Sequence, residues 1–257
     1  MDIKQASEAL LKAEKTKETI DPFTSHHPIT KDEAYQIQLR TIDYKVKQGA
    51  KIVGKKIGLT SKAMQEMLGV DIPDYGHLLD NMIYKEEEAV SISQFIQPRV
   101  EFEIGFVLKE KLQGPGVTDE DVIRATDYVV PAIEIIDSRI HDWKFKFEDT
   151  VADNGSSAGA ILGEGRKALN EIDLPKVKMD VYKNDKLIDS AYGSAVLGNP
   201  IKAVVWLANE VGAYDIALNP GEIILAGALA KAVPIEAGDT FRAEFENLGQ
   251  ASASFKI

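Results

Sequence analysis

Three glutamates stand at spacings that can do chemistry. Glu101 and Glu103 lie in Gln97-Pro-Arg-Val-Glu-Phe-Glu-Ile-Gly-Phe106, where Val100, Phe102, Ile104 and Phe106 would line one face of a strand and the two carboxylates the other. The two-residue repeat sets them about 6–7 Å apart, close enough to grip one ion. The plainer reading is the solvated face of a half-buried strand. Glu134 interrupts Val129-Val-Pro-Ala-Ile-Glu-Ile-Ile136, a run apolar enough for a strand buried on both faces. An ionised carboxylate there is costly unless it is paired or metal-bound. Its partner is a metal, or Arg139 or a lysine in a structural ion pair. The chain has no cysteine, and its four histidines, His26, His27, His77 and His141, show no ligand spacing and read as structural or surface residues. Three glutamates then make an all-oxygen site suited to Mg²⁺ or Mn²⁺, not to structural zinc.

Lys55-Lys56 precedes Ile57-Gly-Leu-Thr60, where a glycine allows close backbone approach and a lysine can meet a carboxylate substrate or exchange a proton. A surface lysine pair is the commoner arrangement. Asp149-Thr-Val-Ala-Asp-Asn-Gly-Ser-Ser-Ala-Gly159 reads as a polar loop, dense in hydroxyl and amide groups, of the kind that lines a site or simply turns. Gly114-Pro-Gly116 lacks the Lys-Ser/Thr of a phosphate loop, which leaves nucleotide binding unsupported.

A chain of 257 residues can bury about 70–75% of the surface that its unfolded form exposes, so a full core needs no staples. With 30 Lys+Arg against 41 Asp+Glu, the formal charge of −11 disfavours nucleic acid and anionic membranes. The longest apolar runs fall well short of the roughly 20 residues of a spanning helix. The first residues lack the basic-then-apolar plan of a signal peptide, so a cytoplasmic protein is expected. An acidic surface should repel a small anion, so either the substrate is not anionic or something positive sits among the acids.

The elements that must position these residues read as helices first and strands later. Periodicity predicts a helix over 2–17 and another behind the capping box Thr30-Lys-Asp-Glu33, with Tyr35, Leu39, Ile42 and Val46 on one face and a stop at Gly49. Residues 51–59 suggest a strand, 61–68 a short helix closed by Gly69, and Pro73-Asp-Tyr-Gly76 a turn. Strands are expected over 99–108 and 129–136, and a hairpin over 178–188 turning at Asn184-Asp185. Helices fit 118–125 and 200–211, the latter with Asn199 at the cap, Pro200 in the first turn and Gly212 beyond. Three more strands follow, over 221–228, 239–245 and 251–257. This order favours an α+β fold with an antiparallel or mixed sheet. No polar linker between residues 50 and 97 separates independent domains.

Taken together, several segments resemble the 2-hydroxypenta-2,4-dienoate (2-keto-4-pentenoate) hydratases and the sister 4-oxalocrotonate (2-oxo-3-hexenedioate) decarboxylases of the fumarylacetoacetate hydrolase superfamily. They are Gly54-Lys-Lys-Ile-Gly-Leu-Thr-Ser-Lys-Ala63, Leu68-Gly-Val-Asp-Ile-Pro-Asp-Tyr-Gly76, Gln97 to Glu103, Pro131 to Ile140, Asp149 to Ser157 and Gly221 to Ala228. The resemblance implies that Glu101, Glu103 and Glu134 bind Mg²⁺ or Mn²⁺ and that Lys56 and Asp74 stand at the substrate, carrying the proton transfers. It also implies that Asn154, Ser156 and the Gly227-Ala228 backbone line the pocket. The implied fold is a rolled mixed β-sheet with an N-terminal helical portion, divided as an α/β portion over 1–80 and a catalytic domain over 81–257, in a homo-oligomer.

The chemistry so implied is enolisation of a small 2-oxo or 2-hydroxy dienoic acid, followed by hydration at C4. Asp74 and the 55–63 run look like the hydratases, since decarboxylases tend to carry an apolar residue at the position of Asp74. Ala232-Val-Pro234 looks closer to the decarboxylases, and Lys231 could meet the second carboxylate of a diacid; Gly155 departs from the Ala usual in both branches. The hydratase is the expected function and the decarboxylase the alternative. A C–C bond hydrolase would need a water-activating base that no histidine near Glu101 and Glu103 supplies. A catalytically silent subunit, supporting a partner decarboxylase or hydratase in a mixed complex, is the reading from another class.

Overall fold

The computed structural model describes residues 2–61, 64–66 and 69–257. Helix α1 (Ile3–Thr16) is capped by Asp2, whose carboxylate accepts from the Lys4 and Gln5 N–H groups. Helix α2 (Lys31–Lys47) starts on the expected capping box, with Glu33 N–H donating to Thr30 Oγ1 and the Glu33 carboxylate accepting from Thr30 N–H. Its buried stripe is Ala34, Tyr35, Ile37, Gln38, Thr41 and Ile42. That is not quite the expected face, because Val46 is exposed and a polar Gln38 is inside. Gln38 tolerates burial because its Nε2 donates to two backbone carbonyls, of Tyr75 and Val151.

Two sheets make up the rest. The larger runs β2 (Asp74–Leu79), β1 (Ile52–Gly58), β10 (Ile223–Leu225), β5 (Arg99–Leu108), β6 (Thr126–Ile136), β7 (Ser157–Leu162), β3 (Ile83–Tyr84), with β11 (Val233–Pro234) also on β5. It is mixed: β1 with β10 and β3 with β7 are parallel, the other pairs antiparallel. The smaller runs β4 (Val90–Ser91), β13 (Gly249–Lys256), β12 (Thr240–Phe245), β8 (Lys178–Lys183), β9 (Lys186–Tyr192). Helices α3 (Asp119–Ala125), α4 (Phe147–Ala152) and α5 (Pro200–Gly212) complete the expected α+β fold. Strands from both sides of residue 80 share the larger sheet.

Alternation along β5 decides where the core lies. Val100, Phe102, Ile104 and Phe106 are all buried, and the Phe102 ring meets Phe241 of β12 at 6.2 Å, which in turn meets Phe255 of β13 at 5.9 Å. One face of the strand is therefore apolar and packed on the smaller sheet. The other face carries Glu101 and Glu103.

Three local expectations fail, each for a tertiary reason. The turn expected at 73–76 is the start of β2, which pairs with β1 from Gly58↔Asp74 onward, so ladder pairing overrides the turn propensity of Asp and Gly. The loop expected over 149–159 contains the end of α4, because Phe147, Val151 and Ala152 are buried, and the start of β7. The strand expected over 221–228 is regular only at β10. Of the helix expected over 61–68, residues 64–66 are helical, and residues 62, 63, 67 and 68 lie outside the described residues. No described helix is long and apolar enough to cross a membrane.

Candidate active site

Strand register alone brings five of the expected residues to one face. Glu101 pairs with Glu134 across β5 and β6, and directly opposite residues project to the same side, so all three glutamates converge. Lys56 pairs with Leu225 and Leu225 with Gly105, which shares the parity of Glu103; Lys56 therefore faces the glutamates. Asp74 pairs with Gly58, two residues beyond Lys56, and joins them.

Beside Glu101 and Glu103 the sheet opens. Strand β10 pairs with Gly105–Val107 and β11 with Arg99 and Val100, and the chain between them loses regular pairing, though Ala226 and Leu229 N–H still donate to the Ile104 and Phe102 carbonyls. Gly227 turns there at φ +114, a conformation that favours glycine, and its N–H donates to Glu103 Oε2 at 2.7 Å. This turn is why β10 ends early. Ala228 follows it, buried, and Thr60 packs against Gly227 so closely that a Cβ on the glycine would sit 2.3 Å from Thr60 Oγ1.

Each glutamate offers an oxygen, and the three lie within 4.8 Å of one another. None belongs to a solvated face: Glu103 and Glu134 are 0% exposed and Glu101 5%. Both Glu134 oxygens and Glu103 Oε1 have no hydrogen-bond partner among the described residues. Burial first, then repulsion from Glu134 and Glu101, pushes Glu103 well above the usual carboxylate range. Burial likewise raises Glu101, and lifts Glu134 to about 7 against the pull of Lys56. Unsatisfied, crowded, oxygen-only donors are what a hard divalent cation requires, so the residues present fit one. Of the competing partners, Arg139 is engaged elsewhere, its guanidinium on Asp153 at 2.5 Å, whereas a lysine, Lys56, does stand by Glu134.

Lys56 Nζ donates to the Gly155 carbonyl at 3.0 Å and lies 3.6 Å from Glu134 Oε2. Burial pulls its ammonium down, but Glu134, Asp74, Glu101 and Glu103 outweigh that and hold it above its ordinary value. Asp74 is buried, its Oδ1 has no hydrogen-bond partner among the described residues, and burial raises its pKa against the pull of Lys56. Gly58 leaves the room for both: a Cβ there would lie 2.1 Å from Asp74 Oδ1 and 3.1 Å from Lys56 Nζ. Neither residue of the lysine pair is at the surface. Lys55 points to the opposite face and pairs with Glu222 at 2.7 Å, both buried.

Asn154, Gly155 and Ser156 form a left-handed turn, with φ of 57, 58 and 57. The Asn154 side chain brackets the β2 backbone, accepting from His77 N–H at 2.7 Å and donating to His77 O at 3.0 Å. The buried hydroxyls of Ser156 and Ser157 have no partner among the described residues. His77 is buried with Nδ1 3.1 Å from Gln38 Oε1. Since Gln38 Nε2 is occupied by two carbonyls, its oxygen is the acceptor and Nδ1 carries the hydrogen. Burial, then the Lys55 ammonium, lowers His77 to about 3, which fits its structural reading.

Sequence reasoning missed the Gly155 carbonyl, Thr60, Ser157 and Gln38. The Asn-Gly-Ser run, rich in residues that tolerate positive φ, was a signal for the first. A glutamine on the apolar side of α2 was a signal for the last. Lys231, proposed for a second carboxylate, is exposed.

Comparison with known proteins gives a consistent picture. The family model described as fumarylacetoacetate (FAA) hydrolase C-terminal matches residues 51–256. The chain is 45% identical over 256 residues to a 2-hydroxyhexa-2,4-dienoate hydratase of Comamonas testosteroni, covering 98% of this chain and 97% of the relative. It is 46% identical over 217 residues to a 2-hydroxypent-2,4-dienoate hydratase of Pseudomonas putida, covering 84% and 98%. Among solved structures, 4-oxalocrotonate decarboxylase from Pseudomonas putida G7, complexed with magnesium and adipate, superposes with a TM-score of 0.95 at 37% identity, covering 98% and 97%.

Proposed function

The chain belongs to the fumarylacetoacetate hydrolase family, and from that membership and the buried glutamate triad we propose that it is a metal-dependent hydro-lyase converting 2-hydroxypenta-2,4-dienoate to 4-hydroxy-2-oxopentanoate. This reaction belongs to the meta-cleavage degradation of aromatic compounds. The observation that carries the reading is that Asp74 and Lys56 both crowd the space over Gly58, on the same sheet face as Glu101, Glu103 and Glu134.

Glu101, Glu103 and Glu134 would hold Mg²⁺ or Mn²⁺, which when bound supplies Lewis acidity to the carboxylate and keto oxygens of a 2-oxo acid and so favours its enolate. The chain's own residues do the rest. Lys56 enters as an ammonium, fixed between the Gly155 carbonyl and Glu134, and Asp74 faces it with an unpartnered oxygen. Between them they exchange the protons that the reaction moves. The enol hydroxyl loses one, C5 gains one to give the 2-oxo-3-enoate, and addition of water places OH at C4 and H at C3. The Ser156 hydroxyl and the turn at Gly227-Ala228 line the space beside them, while Asn154 holds the turn to β2. All five charged groups are at most 5% exposed, which strengthens every electrostatic contact among them.

The second reading is decarboxylation of 2-oxo-3-hexenedioate, favoured by the superposition on a decarboxylase. Against it, Lys231 is exposed and Asp74 stands inside the site. A paired assay separates the two. Purified protein with Mg²⁺ or Mn²⁺ should consume 2-hydroxypenta-2,4-dienoate and yield 4-hydroxy-2-oxopentanoate. CO₂ release from 2-oxo-3-hexenedioate without hydration of the dienoate would establish the decarboxylase. No turnover of either would leave the silent-subunit reading.

A further inference from the structure

Arg139 is buried, and its donors are distributed around one short segment. Its Nε donates to Asp153 Oδ1 at 2.5 Å, its backbone N–H to Asp153 Oδ2 at 2.9 Å, and Nη2 to the Asp153 carbonyl. Nη1 donates to the carbonyls of Asp137 and Ser157. Asp153 immediately precedes the left-handed turn at 154–156 and Ser157 immediately follows it, so one guanidinium holds both ends. Asp137 extends the tie, because its carboxylate accepts from the Ile96 and Gln97 N–H groups, which lead into the strand carrying Glu101 and Glu103.

The turn needs such a tie. Three consecutive residues at positive φ, two of them not glycine, form a conformation that L-residues do not keep unless their surroundings impose it. What the turn presents is the Gly155 carbonyl, the acceptor of Lys56 Nζ. Only a planar fork with several donors can meet acceptors spread around a turn in this way; a lysine ammonium cannot.

We infer that Arg139 and Asp153 are positioning residues for catalysis: together they hold the 154–156 turn so that the Gly155 carbonyl fixes the Lys56 ammonium against Glu134. The kinetic part of this inference rests on the proposed hydratase reaction, whereas its structural part does not.

The test uses the full-length chain with Arg139→Ala, Arg139→Lys and Asp153→Asn. Amide hydrogen exchange should quicken over 153–158 in all three, with β5 and β6 protected as before. With metal saturating, kcat on the dienoate should fall about 100-fold, the size of loss that an ångström-scale misplacement causes, with KM little changed. Arg139 borders an open groove of about 870 Å³, so free guanidinium can reach the vacated place and should restore much of the activity of Arg139→Ala, but none to Asp153→Asn. Three results would overturn the inference: a kcat close to the starting protein, full function in Arg139→Lys, or faster exchange spread evenly over β5, β6 and β7. Should Arg139→Ala not fold, Asp153→Asn carries the exchange and kinetic readings. Should the unaltered protein fail to hydrate the dienoate, the functional proposal falls while the exchange result still decides the role of the clamp.

Discussion

Gly58 and Asp74 face each other across the β1–β2 ladder so closely that a single added carbon on the glycine would lie 2.1 Å from Asp74 Oδ1. Since the same carbon would sit 3.1 Å from Lys56 Nζ, Gly58→Ala must displace one of the two proposed proton carriers. The expected result is a loss in kcat of about 100-fold with metal affinity retained, read by steady-state kinetics and titration calorimetry. Near-normal turnover would separate Asp74 from the chemistry.

Charge removal should split the site into two classes. Glu101→Gln and Glu134→Gln should weaken Mn²⁺ binding by more than about 100-fold and abolish turnover, since each removes a ligand from a three-carboxylate set. Lys56→Met and Asp74→Asn should bind Mn²⁺ almost normally yet lose about 10²–10⁴ in kcat. Equal metal affinity in all four variants would refute the assignment of the triad.

Metal binding should release protons. Burial raises all three glutamates, Glu134 to about 7, so near neutral pH the metal-free site retains protons that a cation must displace. Affinity should therefore rise with pH through 7, and calorimetry in buffers of different ionisation enthalpy should count the protons. Stability without metal runs the other way. A carboxylate whose pKa is raised on folding favours the native state below its ordinary range and loses that contribution as pH rises toward 7, so chelated protein should melt lower at pH 8 than at pH 5. Added Mg²⁺ or Mn²⁺ should reverse the trend.

His77 predicts a dependence of the opposite slope at acid pH. Burial and the Lys55 ammonium hold its folded value near 3, below its ordinary 6.5. Between those values the unfolded chain takes up a proton that the native state refuses, so native stability falls as pH drops, by about 1.4 kcal/mol per unit for this one group. Chemical denaturation of the native protein and His77→Gln at pH 4 to 7 should show that difference in slope; parallel curves would count against a neutral buried imidazole.

The alternation in 99–106 and the apolar run at 129–136 made the glutamates legible as a site, because a carboxylate inside such patterns persists only where a cation or a proton meets it. The capping box at Thr30, the hairpin turn at Asn184-Asp185, where both residues take positive φ, and the helix opened by Asn199 were legible for local reasons. What was not legible depends on partners distant in sequence. Asp74 to Gly76 carry turn residues yet form a strand because β1 is available to pair with them. Gln38 is inside because two carbonyls, at residues 75 and 151, converge on it. The role of Gly155 lies in its backbone oxygen, to which side-chain patterns are blind. The surplus of negative charge describes the surface and not the site, where a buried ammonium stands beside three carboxylates that fit a divalent cation.

The break between β10 and β11 separates two tasks that most sheets combine. Both ends of this stretch are pinned to β5, at Gly105–Val107 and at Arg99–Val100, and inside it the Ala226 and Leu229 N–H groups donate to the Ile104 and Phe102 carbonyls while Gly227 N–H donates to Glu103 Oε2. Strand pairing therefore sets the register of the three carboxylates, and the Gly227 amide reaches one of them from outside that pairing. A substitution that shifts the Gly227 turn should change the surroundings of Glu103 while β5 and β6 stay in step.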